Sequence, residues 1–429
     1  MILCAEDCDE VVPLRDSTLM TFEPDLPLST PPLSSSNLIE ISHQVSGLFA
    51  GIAGLELGLS RAGHSTNLLC EIDPAAQAVL CAHNQFFDAP LHHDVRKLSG
   101  KDLKGTTLLT AGFPCQDFSP AGRTQGITGK NSGLIGEVFR LLHNTDVPEV
   151  LLENVPFMMQ LHRGAALDII LTEFEKLGYS WAYRVVDAMA FAIPQRRLRI
   201  FILASKLRDP RTVLLSGRTI SKPEDHAWSA GSDSMGFYWT EGNRGVGWAL
   251  NSVPTLKGGS TVGIPSPPAV LLPCGRIVTP TIQGAERLQG FRANWTDAAK
   301  GVTRESFRWK LVGNAINVKV ARWLGDRLAK PKSFSSDSYR PLLQGAKWPL
   351  AAWCINGARR WTDDTITTFP VSRTCLPIHE FLGNQVQPLS EKALAGFTSR
   401  LKKSSLRTPD EFIPALETAL KNRREEMAD

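Results

Sequence analysis

Short apolar runs alternate with segments of helical periodicity along the first half of the chain. Continuous apolar runs are typical of buried strands, whereas apolar positions spaced by three or four residues predict helices. Strands are predicted at 45–49, 66–70, 107–110, 149–152, 181–186 and 198–203. Helices are predicted at 55–62, 75–83, 133–143 and 165–177. This alternation predicts an α/β fold built on a doubly wound sheet.

The pattern changes after about residue 208. Residues 209–280 are rich in glycine, proline and serine, which predicts a smaller region of strands and loops. Helical periodicity returns at 285–291 and 318–328, and residues 332–429 form an extension with a basic helical end. Residues 1–37 are acidic and then rich in serine and proline. We expect them to form a disordered tail, with a packed N-terminal arm as the alternative.

Composition is ordinary for a globular protein, with 42% hydrophobic and 21% charged residues. No apolar run reaches the roughly 20 residues of a membrane helix, and the acidic N-terminus does not resemble a secretion signal. The eight cysteines include no C-x-x-C pair, so neither a zinc site nor a disulfide framework is indicated. We therefore expect no metal, no membrane contact and a reducing cytoplasm.

The net charge of +4 is distributed unevenly. Residues 1–43 hold eight acidic residues and one arginine, so the remaining chain carries a net charge of +11. A positive excess favours an anionic partner such as nucleic acid, although here it is spread over a long segment.

A glycine turn follows the first predicted strand, and an acid closes the second. The turn contains Gly51 and Gly54, and the acid is Glu71. This order is typical of a nucleotide-binding half-unit, in which the acid accepts hydrogen bonds from ribose hydroxyls. The glycines do not complete a G-x-G-x-x-G pattern. Asp94 closes a third strand and either binds an adenine amino group or is an exposed loop acid.

The central chemical candidate is Cys115, which follows the strand at 107–110. Pro114 fixes its own φ and restricts Phe113, so the thiol follows a stiff segment and precedes a loop rich in glycine and serine. This arrangement suits a nucleophile. The alternative is a buried structural cysteine.

Charged residues occur at the ends of two further predicted strands. Glu153 follows the run 149–152 and is either an acid at the ligand-binding edge of the sheet or a first-turn acid of a helix. Arg197 and Arg199 lie at the entrance of the strand predicted at 198–203 and share one of its faces. They either point into a common cleft or form a solvated face.

A series of short motifs therefore runs from about residue 45 to residue 328. The motifs are Phe49-x-Gly51 with Gly54; Glu71; Asp94; Gly112-Phe113-Pro114-Cys115-Gln116-x-Phe118-Ser119; Glu153-Asn154-Val155; Gln195-x-Arg197-x-Arg199; Arg287-Leu288-Gln289-Gly290-Phe291; and Gly313-Asn314. In this order they resemble the DNA (cytosine-5)-methyltransferase family of bacteria. Two positions depart from the family: Ala53 stands where many members have glycine, and Ile72 where some have an aromatic residue.

The resemblance implies a Rossmann-like sheet that binds S-adenosylmethionine, with a smaller target-recognition domain. The implied catalytic domain comprises residues 38–205 and 302–330, and the recognition domain residues 206–301. The resemblance does not cover the tail at 1–37 or the C-terminal extension at 331–429, whose role stays unknown.

The resemblance also implies methyl transfer to carbon 5 of a cytosine flipped out of a specific duplex sequence, through a covalent bond from Cys115 to carbon 6. Glu153, Arg197 and Arg199 complete the implied catalytic group. The implied cofactor-binding residues are Phe49, Gly51, Gly54, Glu71, Ile72, Asp94, Val95, Pro114, Asn314 and Ile316. The implied DNA contacts are Gln116, Ser119, Arg123 and Gln195.

Two alternatives stay open on the sequence alone. One is a tRNA cytosine-5 methyltransferase of the same fold, and the other is a catalytically silent DNA-binding regulatory module. The expected partner is double-stranded DNA, and restriction or phage-defence proteins are further candidates. We expect a monomer in the bacterial cytoplasm, associated with the nucleoid through DNA.

Overall fold

The computed structural model of the chain describes residues 41–114, 133–217, 226–241, 245–258, 265, 267–335, 338–362 and 366–425. The tail predicted at 1–37 lies outside these ranges. The strands within them are β1 (Gln44–Leu48), β2 (Ser65–Cys70), β3 (Leu91–His92), β4 (Leu108–Gly112), β5 (Glu149–Asn154), β6 (Ser180–Asp187), β7 (Gln195–Arg196), β8 (Leu198–Ser205), β9 (Met235–Phe237), β10 (Ala249–Leu250), β11 (Val253–Pro254), β12 (Ala269–Leu271), β13 (Ile277–Pro280), β14 (Arg340–Pro341), β15 (Ala351–Ile355), β16 (Ala358–Trp361) and β17 (Val386–Pro388).

The helices within the described ranges follow the same order along the chain. They are α1 (Gly54–Ser60), α2 (Pro74–Ala82), α3 (Gly133–His143), α4 (Ala165–Lys176), α5 (Arg211–Leu214), α6 (Ile282–Leu288), α7 (Arg308–Asn314), α8 (Val318–Ala329), α9 (Ile378–Leu382), α10 (Glu391–Lys402) and α11 (Phe412–Glu425). Short 3-10 turns at Val95–Lys97 and Pro156–Met159 follow strands of the main sheet.

The main sheet has ten strands in the order β3-β2-β1-β4-β5-β8-β6-β15-β16-β14. The five strands from β3 to β5 pair in parallel, and the strands from β8 to β14 pair antiparallel. The chain moves outward in opposite directions from β1 and β4, which makes their boundary the topological switch point. Open α/β sheets bind ligands at the carboxyl ends of the strands beside such a point.

Local sequence signals determine where the helices around this edge begin. Pro74 occupies the first position of α2, and the carboxylate of Asp73 accepts a hydrogen bond from the N–H of Ala75 at 2.9 Å. Asn317 caps α8 in the same way. Ala53 precedes α1 with a φ of 62°, a left-handed conformation that costs a residue with a β-carbon about 1 kcal/mol.

Helices cover both faces of the main sheet because its central strands are apolar on both sides. Leu108 and Leu151 face the core beneath α1 and α8, whereas Leu109 and Leu152 face the core beneath α3 and α4. Each fully buried leucine contributes about 2 kcal/mol of apolar burial. The doubly wound α/β fold predicted from the sequence is confirmed.

A second sheet of five strands, β10-β9-β12-β13-β17, lies beyond β8 in the chain. Its last strand comes from the C-terminal extension, and the extension also adds β14, β15 and β16 to the main sheet. Phe291 and Trp295 pack with Leu57 of α1 and Val79 of α2. The domain boundaries drawn from the sequence stay a prediction.

Candidate active site

The carboxyl ends of β4 and β5 bring two predicted motifs into contact. Gly112, the last residue of β4, pairs in register with Glu153 of β5. A β-carbon at Gly112 would lie 3.4 Å from the Glu153 carboxylate and 3.2 Å from the Ile316 side chain. The side-chain amide of Asn154 donates to the carbonyl of Phe113 at 2.9 Å. This bond fixes the backbone two residues before Cys115, which itself lies outside the described residues.

Glu153 is buried and forms an ion pair. Its side chain lies 2.8 Å from the Nε of Arg199, and the residue is only 7% exposed. Burial raises the pKa of the Glu153 carboxyl above its usual value, although Arg199 and Arg197 oppose the shift. A carboxyl group in this setting holds a proton more readily than an exposed glutamate does.

Arg197 lies between β7 and β8, and its side chain bonds to backbone carbonyls. It is 2% exposed, and its guanidinium donates to the carbonyls of Leu256 at 3.2 Å, Gly313 at 3.1 Å and Ala315 at 2.7 Å. Burial and the nearby charge of Arg199 lower the pKa of Arg197. Arg197 therefore joins the segment before β8 to the segments at Leu256 and at 313–315.

Gln195 was predicted to contact DNA, but the structure places it in the interior. Its side chain is fully buried, donates to the carbonyl of Leu288 at 2.9 Å and accepts from the N–H of Leu256 at 3.0 Å. Both ends of the amide are therefore used inside the protein. We interpret Gln195 as a residue that joins β7 to α6, and we do not assign it to DNA.

The glycine turn after β1 and the acid after β2 meet at the carboxyl ends of these two strands. The N–H of Gly51 donates to one oxygen of Glu71 at 2.7 Å. The N–H groups of Ile72 and Asp73 donate to the other oxygen at 2.9 and 2.8 Å. Gly51 has a φ of 56°, and no atom lies within 4 Å of the position that a β-carbon would take, so the space above this turn is open. Phe49 precedes the turn, with a φ of 54°.

The residues expected around an adenine differ in exposure. Ile72 is 59% exposed, whereas Val95 is 5% exposed and packs into the core beneath α3. Asp94 caps the turn Val95–Lys97 and pairs with Arg96 at 2.8 Å. Hydrogen bonds from Arg96 hold the pKa of Asp94 below its usual value. The side chain of Ile72 is thus accessible at this edge, that of Asp94 is 16% exposed, and that of Val95 is buried.

The segment after α7 closes the site from the other side. A β-carbon at Gly54 would lie 2.2 Å from the carbonyl oxygen of Ile316, so the absence of a side chain permits this close approach. Asn314 ends α7 in an exposed position, and Ile316 is half-buried. Pro114 is exposed in the chain segment that leads to Cys115.

Sequence reasoning missed two residues of this region. Asn154 was part of a motif but received no role, and Glu56 was not considered. Glu56 is 2% exposed in α1, and its carboxylate accepts from the hydroxyl of Thr110 at 2.9 Å. Burial raises the pKa of Glu56 to about 7. An acid within the apolar segment 52–59 was the available signal.

Several predicted residues fall outside the described ranges, namely Cys115, Gln116, Ser119 and Arg123. Across the ranges that the structure does describe, His, Cys, Asp and Glu side chains form no group of three that could hold a metal ion. None of the described helices combines the length and apolarity that crossing a bilayer requires.

Comparison with known proteins relates most of the chain to one group of enzymes. A family model described as C-5 cytosine-specific DNA methylase matches residues 44–235. The Type II methyltransferase M2.BsuMI of Bacillus subtilis (strain 168) is 42% identical over 392 residues, which are 87% of this chain and 97% of that protein. The Type II methyltransferase M.DsaV of Dactylococcopsis salina is 29% identical over 309 residues, 66% of this chain and 84% of that protein. The crystal structure of the S. pombe Dnmt2 methyltransferase aligns with a TM-score of 0.48 and 19% identity, over 67% of this chain and 98% of that one.

Proposed function

Because the chain belongs to the family of C-5 cytosine-specific DNA methylases, we propose that Cys115, Glu153 and Arg199 form its catalytic centre. The enzyme transfers the methyl group of S-adenosylmethionine to carbon 5 of cytosine in DNA. One observation supports this residue assignment above the others. The buried ion pair of Glu153 and Arg199 lies beside Gly112, three residues before Cys115 in the chain.

The residues at the switch point fit the cofactor. S-adenosylmethionine supplies an electrophilic methyl group on a sulfonium centre. The open space above Gly51 would admit the methionine end, with Phe49 next to it in the chain. Glu71 would accept a hydrogen bond from a ribose hydroxyl through the oxygen that is bonded by the N–H of Gly51, since that oxygen accepts a single backbone bond and keeps a second lone pair. Exposed Ile72 would cover the adenine, and Asp94 would accept from its amino group.

The remaining cofactor residues follow the same assignment. Gly54, Pro114, Asn314 and Ile316 lie in the segments around the turn and would enclose the ligand from the side of β4. Val95 would contribute its backbone rather than its buried side chain.

The chemistry follows from the residue types. The thiolate of Cys115 bonds to carbon 6 of cytosine while a proton from Glu153 moves to ring nitrogen 3, which makes carbon 5 nucleophilic. Arg199 donates to the oxygen on carbon 2. After methyl transfer, water removes the proton from carbon 5, the bond between carbon 6 and sulfur breaks, and the proton on nitrogen 3 returns to Glu153. The raised pKa of Glu153 favours the protonated form that the first step needs.

Arg197 acts as a positioning residue. Its guanidinium binds carbonyls of the segment at Leu256 and of the loop after α7. Both segments flank the catalytic pair, so Arg197 fixes the walls of the base pocket without touching the base. We keep it in the site with this role.

The substrate must enter with one base outside the helix, because the reacting atoms are inaccessible in a stacked duplex. Gln116, Ser119 and Arg123 remain the predicted contacts to phosphates and to the vacated base position. The sheet formed by β9, β10, β12, β13 and β17 is the proposed target-recognition region, with residues 206–301 as its central part.

The names of the relatives suggest a biological setting. M2.BsuMI and M.DsaV are both described as Type II methyltransferases. We propose that this enzyme likewise protects one DNA sequence beside a cognate restriction enzyme, and that it acts as a monomer.

The decisive experiment replaces Cys115 with serine and with alanine. Both variants should lose all measurable methylation of duplex DNA while binding S-adenosylmethionine with an affinity within about twofold of the wild type, because the thiolate is needed only for the bond to carbon 6. Bisulfite sequencing of DNA from cells that express the wild type identifies the methylated sequence and provides the substrate. Methylation by either variant would remove Cys115 from the mechanism.

A further inference from the structure

We propose that residues 386–425 are the second half of the target-recognition region and determine how well the enzyme discriminates its DNA sequence. The proposal rests on the function proposed above for the five-stranded sheet. It assigns a role to the part of the chain for which the sequence provided none.

The first observation is backbone pairing. β17 is the edge strand of the small sheet and pairs antiparallel with β13, with Thr279 opposite Gln387. Hydrogen bonds outside the strands extend this contact, from Leu389 to Ile277 at 3.0 Å and from Thr281 to Gln385 at 2.9 Å. The extension is therefore built into the small sheet.

The second observation is a shared hydrophobic core. The described core between the small sheet and the last two helices has twelve buried residues, six from each side. The sheet contributes Met235, Phe237, Val246, Ala269, Leu271 and Ile277; the extension contributes Leu389, Leu394, Phe397, Leu401, Phe412 and Leu416. Without the extension, one face of the small sheet would expose its apolar side chains to water.

The aromatic side chains at the centre of this core come from both parts. The ring of Phe237 in β9 stacks on that of Phe397 in α10, with 4.9 Å between the ring centroids. It also packs edge-on against Phe412 of α11, with 5.3 Å between the centroids. Phe412 also contacts Trp248 at 4.5 Å. Arg400 of α10 donates to the carbonyl of Trp239 at 2.8 Å. These contacts fix the strands and loops on which base-reading side chains would have to lie.

The third observation links the extension to β7, the short strand before Arg197. A β-carbon at Gly284 of α6 would lie 2.6 Å from the carbonyl of Gln385, so the extension packs directly on this helix. The far end of α6 accepts a hydrogen bond from Gln195, which lies two residues before Arg197. A displacement of the extension would therefore reach the base pocket through α6.

A cavity of about 460 Å³ marks a second place where the extension lies next to the segment before Arg197. Thr408, Pro409 and Asp410, between α10 and α11, form one wall. Arg196, Trp228 and Trp248 line the others, and Arg196 immediately precedes Arg197. The loop between the last two helices thus lies beside β7, which directly precedes Arg197 in the chain.

Together these contacts predict a selective effect. Loosening the core between the sheet and α10–α11 should disturb DNA discrimination, whereas none of the proposed S-adenosylmethionine residues belongs to this core, so cofactor binding should be unaffected. A role in general stability alone would change both properties in parallel.

The test compares Phe397→Ala and Phe412→Ala with the wild type and with Trp348→Ala. Trp348 is a matched control because it belongs to the same extension but packs on the main-sheet side, where its indole donates to the carbonyl of Gly164 at 3.0 Å. Each protein is titrated with S-adenosylmethionine, with a duplex that contains the methylated sequence, and with a duplex that differs by one base pair. Phe397→Leu keeps an apolar side chain of similar size and serves as the conservative variant.

We expect Phe397→Ala and Phe412→Ala to lower the ratio of affinities for the two duplexes by about tenfold, the scale of reading one base pair. Affinity for S-adenosylmethionine should stay within about twofold, Trp348→Ala should keep the wild-type ratio, and Phe397→Leu should restore most of it. The proposal is overturned if both alanine variants keep the wild-type ratio. It is also overturned if cofactor and DNA binding fall together in both alanine variants and in Phe397→Leu. A wild type that methylates no DNA would instead refute the proposed function.

Discussion

The two ends of strand β5 carry the same kind of residue pair in different surroundings. At its start, Glu149 lies 2.9 Å from the Nε of Arg208; at its end, Glu153 lies 2.8 Å from the Nε of Arg199. Burial raises the pKa of both carboxyl groups. Neither the pair nor the pKa shift therefore distinguishes a catalytic acid from a structural one.

The surroundings make the distinction. Glu149 is fully buried, with His43 at 3.3 Å, and burial lowers the pKa of His43 to about 3, so the imidazole is neutral. This cluster lies at the amino ends of the strands, away from the switch point. Glu153 lies at the carboxyl ends beside Gly112, and its side chain is 9% exposed. Access to the ligand-binding edge is the property that indicates function.

The largest expected effect is on stability, and it concerns the glutamate at the start of β5. Glu149→Gln leaves the charge of Arg208 buried without its partner, which should lower the free energy of unfolding by about 3 to 5 kcal/mol. Turnover by the protein that remains folded should be unchanged. The urea midpoint and the turnover per folded molecule measure the two properties. A wild-type midpoint would show that the cluster at the start of β5 contributes nothing to folding.

The next largest effect is on turnover, and it concerns the glutamate at the end of β5. Glu153→Gln should lower turnover about 100-fold, the usual scale of acid catalysis, because the amide cannot give a proton to nitrogen 3. Its urea midpoint should change less than that of Glu149→Gln, since the Glu153 side chain is 9% exposed whereas that of Glu149 is fully buried. Each variant is the control for the other. Equal turnover in both would remove the distinction drawn between the two ends.

The sequence predicted most of the carboxyl edge but little of how its side chains pair. Glu71 and Glu153 were placed correctly at strand ends, because each follows a short apolar run and the parallel order fixes where strands end. The partner of Glu153 depended on the register of β5 with β8, which places Glu153 opposite Phe201 and thus puts Arg199 on the same face. Local sequence does not contain that register.

The extension was harder to predict for a different reason. β15 pairs with β6, so Trp353 lies opposite Ala182, about 170 residues earlier in the chain. β17 likewise joins a strand about 110 residues before it. Contacts over such separations leave only a weak pattern in the local sequence, since the strands involved are short. Gln195 was misjudged for the same reason: only the tertiary structure shows that its amide is enclosed.

Glu56 is a third buried glutamate, and it shows how a buried carboxyl group behaves without an arginine partner. Its replacement has the smallest expected effect of the three. Glu56 has no ion pair in the described structure, and one of its carboxylate oxygens has no hydrogen-bond partner there. Its pKa of about 7 in the folded protein lies above the usual value of 4.5. The folded protein therefore keeps a proton that the unfolded chain has lost, and Glu56 stabilises the fold at low pH. That contribution is lost as the pH rises through 7.

Glu56→Gln removes this titration and leaves a neutral side chain of the same shape. The wild type should lose about 2 kcal/mol of unfolding free energy relative to the variant between pH 5 and pH 7. Urea unfolding of both proteins at the two pH values measures the difference, and common titrations such as that of His43 cancel in it. A gap between the two proteins that stays constant with pH would mean that Glu56 is ionised in the fold at both values. Burial without an arginine partner would then be insufficient to keep a carboxyl group protonated, and the proton assigned to Glu153, which does have such a partner, would lose its physical basis.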